Sequence, residues 1–159
     1  MKLPRIKFVV MAFGLLAMAA CGGGVVKRVS EPAASIQQLS VAADGNWEVQ
    51  LRLSNFSSMP MRFASVSLKL TVGDAEAGTL QSSPALEIGP ESADVVTVAL
   101  VPSSAARLLV ADTLAGRRAL PYTLEGSVAA APRDRGQRTF EVKARSSLSP
   151  APGLPGVLR

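Results

Sequence analysis

Apolar residues recur at every second position over long parts of this chain. Trp47, Val49, Leu51 and Leu53 alternate with Glu48, Gln50, Arg52 and Ser54, and Val66, Leu68, Leu70 and Val72 alternate with Ser65, Ser67, Lys69 and Thr71. A period of two sends successive side chains to opposite faces of a strand, so each run predicts a β-strand with one buried face. Branched and aromatic side chains suit that pleated surface, and a one-residue slip would expose a whole row.

Further strands follow the same rule. A short one is predicted over Ala77–Ser82, after the turn at Val72-Gly73-Asp74, and Leu86 and Ile88 precede a turn at Gly89-Pro90. Val96, Val98 and Leu100 form a strand that Pro102 stops. Tyr122, Leu124, Gly126 and Val128 lie on one face of the next strand, which the Arg133-Asp134-Arg135-Gly136 loop joins to Phe140, Val142 and Ala144. A first strand near Ile36–Val41 completes seven or eight. Ser103–Leu114 is the one helix expected, with a serine cap before it and Gly116 after it. Short strands at regular spacing with turns between them predict an all-β sandwich over residues 35–146.

The two ends read differently. Lys2, Arg5 and Lys7 precede Phe8–Ala20, a run that is apolar apart from Gly14, and Met18-Ala19-Ala20-Cys21 follows. That run falls short of the ~20 helical residues needed to cross a bilayer core of about 30 Å. It fits a signal-peptide core, and residues 1–20 are expected to be a lipoprotein signal, with Cys21 receiving the lipid. Ordinary secretory cleavage after Ala19 is the alternative. Three glycines, Ser30 and Pro32 make 21–34 a flexible tether. Pro150, Pro152, Gly153, Pro155 and Gly156 predict a disordered tail over 147–159.

Composition narrows the chemistry. Three basic and no acidic residues leave with the signal, so more than half of the formal +5 goes with them, and no nucleic-acid partner is expected. The chain has no His, and its single Cys cannot form an internal disulfide. Nucleophilic catalysis needs a base beside Ser, Thr or Cys, and the lysines show no diagnostic serine spacing. No catalytic residue, metal or cofactor is therefore expected, and the protein is read as not an enzyme. Asp74 and Glu76 belong to a turn more readily than to a calcium site, and Met59 and Met61 to a core more readily than to a copper site. Arg117-Arg118 and Arg133, Arg135 and Arg138 are candidates for anionic lipid headgroups, with solvated surface charge as the ordinary alternative.

A family resemblance runs through the same segments. An alternating strand ends in Asn in Leu51-Arg52-Leu53-Ser54-Asn55, and Met59-Pro60-Met61 leads into the next. Ala77-Gly78-Thr79, the Ile88-Gly89-Pro90 turn before Val95–Leu100, Tyr122-Thr123-Leu124-Glu125-Gly126 and the aromatic Phe140 follow in order. In this succession the chain resembles the type 2 late embryogenesis abundant proteins, which share the WHy (water stress and hypersensitive response) domain. It departs from them at Phe56, where the family usually has Pro. The resemblance implies a Greek-key sandwich like fibronectin type III, with a short helix between late strands and Asn55, Pro60, Gly78, Pro90, Tyr122, Gly126 and Phe140 as structural positions. It implies a link to drying, osmotic and cold stress, and it supplies no catalytic residues.

The functional expectation is a lipid-anchored stress-protection protein, on the periplasmic face of the outer membrane in a Gram-negative host and otherwise secreted or in the cell envelope, protecting envelope proteins or membrane. Its expected partners are the membrane, through lipid on Cys21, and partly unfolded client proteins or anionic headgroups. The alternative is an envelope accessory or assembly lipoprotein that uses the sandwich as a docking module.

Overall fold

The computed structural model describes residues 27–159. The signal over 1–20, Cys21 and the first part of the tether lie outside the described residues. Among the described residues nine strands and one helix follow one another: β1 Ala33–Val41, β2 Trp47–Asn55, β3 Met61–Val72, β4 Ala75–Ser82, β5 Leu86–Ile88, β6 Ser92–Leu100, α1 Ser104–Ala115, β7 Leu120–Pro132, β8 Arg138–Leu148 and β9 Val157–Leu158.

The strands form two antiparallel sheets. One has the order β6-β2-β1-β9, and the other β4-β3-β7-β8, with β5 also paired to β3. The chain changes sheet between β2 and β3, between β5 and β6, around the helix, and again between β8 and β9. As a result β2 pairs with β6, and β3 with β7. This interleaving makes the sandwich a Greek key, as the resemblance implied.

The alternating rows meet in the middle. Trp47, Val49, Leu51 and Leu53 of β2 face Leu68, Leu70 and Val72 of β3 and Tyr122, Leu124 and Val128 of β7, all buried. Each fully buried side chain of this size contributes about 1.5–3 kcal/mol, so these rows are the main favourable term for a domain without disulfides. Met59 and Met61 are buried too, and Met61 belongs to this core cluster.

The helix closes one end of the sandwich. Ser103 caps it, its Oγ accepting from Ala106 N–H, and the Ser103 hydroxyl also donates to the Glu76 carbonyl on β4 at 2.7 Å. Ala106, Val110 and Thr113 form its buried face. The expected C-terminal glycine has a different role. Gly116 is in ordinary right-handed conformation (φ −80°), and Arg117 takes the left-handed one (φ 50°). A Cβ on Gly116 would lie 3.2 Å from the Asp112 carbonyl oxygen, so the glycine supplies room rather than a turn.

The tail corrects the sequence reading. Residues 147–159 were expected to be disordered, yet Leu148 ends β8 and the segment after it folds back. Ser149 and Arg159 exchange backbone hydrogen bonds at 2.6 and 2.8 Å. Val157 and Leu158 then pair with Ser40 and Leu39 of β1, and Leu158 is completely buried. The prolines and glycines shape the turn between β8 and β9 without stopping the chain from returning as a two-residue edge strand, where prolines are tolerated nearby. At the other end, β1 begins at Ala33, inside the stretch expected as tether.

Candidate functional site

The residues singled out in sequence fall into distinct places, and the first is a buried polar knot. Asn55, the last residue of β2, is completely buried. Its Nδ2 donates to the carbonyls of Met59 (2.9 Å), Ile88 (3.1 Å) and Gly89 (2.8 Å), and its Oδ1 accepts Ser57 N–H at 2.9 Å. One side chain thus satisfies the backbone of the β2–β3 loop and of the β5–β6 turn. Such satisfaction is what burial of polar groups requires. Pro60 and Pro90 belong to these same two loops, and the Pro60 carbonyl accepts Arg133 N–H from the β7–β8 turn at 2.9 Å. Three loops are therefore joined at one end.

The chain enters the sandwich at that end. Arg28 N–H donates to Ser58 Oγ at 2.8 Å, Ser58 N–H donates to the Arg28 carbonyl at 3.0 Å, and Ser30 N–H donates to Ser57 Oγ at 2.9 Å. Phe56 lies between these contacts and is 52% exposed. The family's usual proline is replaced here by an aromatic ring turned toward solvent.

Gly78, Tyr122, Gly126 and Phe140 lie elsewhere. Gly78 (φ +146°) follows the point where the β3–β4 register shifts, and Gly126 (φ +154°) lies in the middle of the β3–β7 ladder. A Cβ on Gly126 would sit 2.2 Å from the Ser67 carbonyl oxygen, so close backbone approach requires glycine there. Tyr122 is buried and bonds to β1 of the opposite sheet, and Phe140 packs half-buried against the core. These are internal positions, and none of them meets another in a cleft.

Charge separates toward the two ends. Arg117 and Arg118 precede β7, and Arg133, Arg135 and Arg138 follow it, so 13 residues of strand stand between groups that sequence reading had placed together. At ~3.3 Å per residue that is roughly 40 Å. The loop end carries Lys27, Arg28, Arg62, Arg133, Arg135 and Arg138 against Glu31, Glu87, Glu91, Asp94 and Asp134. Arg28 pairs with Glu91 at 3.3 Å and Arg133 with Glu87. At the helix end, Arg118 pairs with Asp112, and Lys69 with Glu76 at 3.9 Å. Lys27, Arg28 and Arg62 were not singled out in sequence. Their position just before a strand or after Pro60 was the available signal, since both places belong to strand ends on the same side.

Several hollows lie at the helix end. A cavity of about 230 Å³ is lined mainly by apolar groups, with Val41, Trp47, Val110 and Leu114 around Arg107. The Arg107 Nε is buried without a hydrogen-bond partner, while its Nη2 donates to Asn46 Oδ1 at 3.2 Å. A shallower cleft of about 720 Å³ runs between Leu114, Arg117 and the tail. Among the described residues, no three His, Cys, Asp or Glu side chains gather as metal ligands, and Asp74 and Glu76 stand without a third. No helix among the described residues is long and apolar enough to cross a membrane.

The model of the late embryogenesis abundant protein family matches residues 50–146, from the middle of β2 to near the end of β8. The chain belongs to that family. Its matched segment contains all seven structural positions named above. The late embryogenesis abundant family is generally non-enzymatic, and membership supports a stress-related role. Among solved structures, a protein from Arabidopsis thaliana is 14% identical over 79% of this chain and 82% of its own, with a TM-score of 0.49. A protein from Archaeoglobus fulgidus is 13% identical over 78% of this chain and 98% of its own, with a TM-score of 0.43. No curated protein matches the chain.

Proposed function

We propose that this late embryogenesis abundant protein is a lipid-anchored, non-enzymatic stress-protection protein of a bacterial envelope. In this reading Cys21 carries the lipid, and Gly22 after it, in place of a retaining Asp, sends the protein to the periplasmic face of the outer membrane. The protein shields envelope proteins or the membrane during drying and osmotic stress. The family match over residues 50–146 is the observation that carries the proposal.

The working contacts are weak and numerous. Outer edges of β4, β6 and β8 offer unpaired backbone groups to extended segments of partly unfolded clients. Arg138, Lys143 and Arg145 on β8 discourage permanent pairing along that edge, which suits a reversible contact.

Viable count after drying tests the reading, with each strain normalised to its undried culture. A deletion strain is expected to grow normally and lose viability on drying, and Cys21→Ser is expected to restore less than the wild-type gene does. Equal survival of wild type and deletion, with leaky envelopes before drying, would move the protein to the class of envelope assembly modules.

A further inference from the structure

The loop end of the sandwich differs from the helix end in three respects at once. It is where residues 1–26 join the described chain, since Arg28 and Ser30 are bonded to Ser58 and Ser57. It is richer in basic than acidic side chains. It also exposes a single aromatic ring, Phe56.

Ion pairing sharpens the second point. Glu91 and Glu87 are already engaged by Arg28 and Arg133. Among the described residues, Lys27, Arg62, Arg135 and Arg138 are exposed basic groups with no carboxylate at ion-pair distance. Glu31, Asp134 and Asp94 are the remaining acidic side chains there, three against four. The positive excess is therefore open to an outside anion.

We propose that this end is a membrane-contact surface for anionic phospholipid headgroups, with Phe56 at the interface and the helix end turned away. The inference rests on the envelope reading above. Lys27 lies six residues after Cys21, a reach of at most roughly 20 Å at ~3.5 Å per residue, so a lipid on Cys21 would hold this end against the bilayer. An exposed apolar ring such as Phe56 gains by burial at the boundary between headgroups and acyl chains, and nearby basic residues gain from the negative surface potential. The helix end also exposes apolar groups, Val101 and Leu108, but it has balanced charge and lies a strand length from the point of entry.

The test uses the mature form, residues 21–159, carrying Cys21→Ser, so that neither a lipid on that residue nor the basic, apolar signal segment contributes. One cysteine is introduced at Phe56 or at Leu108, both exposed, and labelled with an environment-sensitive fluorophore. Vesicles of phosphatidylcholine, with or without phosphatidylglycerol, are then titrated in. The Phe56→Cys label is expected to shift to the blue with anionic vesicles, and the Leu108→Cys label to stay in water. About 0.5 M salt should reverse the shift, because exposed charges are screened within a few ångströms at that strength. Arg135→Glu with Arg138→Glu should weaken it about tenfold or more. A shift at Leu108 alone, no shift at either position, or a Phe56 shift indifferent to lipid charge would each overturn the proposal. Incorporation of labelled palmitate at Cys21 in cells tests the anchor separately, so the two readings can fail independently.

Discussion

The phenolic oxygen of Tyr122 accepts the backbone N–H of Ile36 at 3.0 Å, across 86 residues and from one sheet to the other. Ile36 is the residue at which the β1–β2 register shifts. The tyrosine therefore supplies a buried acceptor where the ladder is irregular, and its ring fills the core beneath. Tyr122→Phe keeps the ring and removes the acceptor. A loss of about 1–2 kcal/mol is expected, the cost of leaving one buried N–H without its partner. Urea denaturation checks this, with an unchanged slope showing that the fold is retained.

Asn55 should be less replaceable. Asn55→Ala strands the carbonyls of Met59, Ile88 and Gly89 and the N–H of Ser57. The expected loss is about 2–4 kcal/mol, because some of those groups reach water once the loops relax. Asn55→Asp should be worse at neutral pH, since it sets a buried carboxylate among carbonyl oxygens. Burial raises the carboxyl pKa above its unfolded value, so the Asp variant is relatively better at low pH and loses stability as pH rises. Thermal melts of both variants at pH 4 and pH 7 would show the crossing.

Gly126→Ala tests the central ladder. The new methyl would meet the Ser67 carbonyl oxygen at 2.2 Å in a backbone conformation that L-residues rarely adopt. Both strands are central to their sheet and cannot part without breaking the ladder, so a loss of about 3 kcal/mol or more is expected. Expression as a soluble chain, followed by a melting curve, is the measurement. Gly78→Ala should cost less, because its Cβ would meet the movable Cδ1 of Leu100 at 3.0 Å.

These positions also show where sequence reading stops. The alternation of Trp47 to Leu53 and of Val66 to Val72 placed β2 and most of β3 directly. It missed the first residues of β3 because the register shifts between Phe63 and Ser65, so Met61 and Phe63 face inward on one parity and Val66 on the other. The same break between Ile36 and Gln38 hid the start of β1. Asn55 could be recognised as a strand end. Its carbonyl partners at Ile88 and Gly89 lie 33 and 34 residues away, and only the packed fold brings them in. The charge asymmetry was hidden for the same reason, since Arg117 and Arg133 are close in sequence and separated by a full strand.

The tail offers a further check. Leu158 is completely buried against β1 although a segment rich in proline and glycine leads to it. Leu158→Ala is expected to cost about 2–4 kcal/mol, the range for truncating a buried leucine. Leu154→Ala should be nearly neutral, because Leu154 is 44% exposed. A melting comparison of the two variants separates a docked tail from a loose one.

Pairing of Leu39 with Leu158 also sets a condition on timing. A chain made from its N-terminus presents β1 early and β9 last, with nearly the whole domain between them. Until β9 emerges, that edge of β1 stays open beside an incomplete core. Closure of this sandwich is therefore a late event in the life of the nascent chain, and a chain broken off before β9 would leave the first strand without that neighbour.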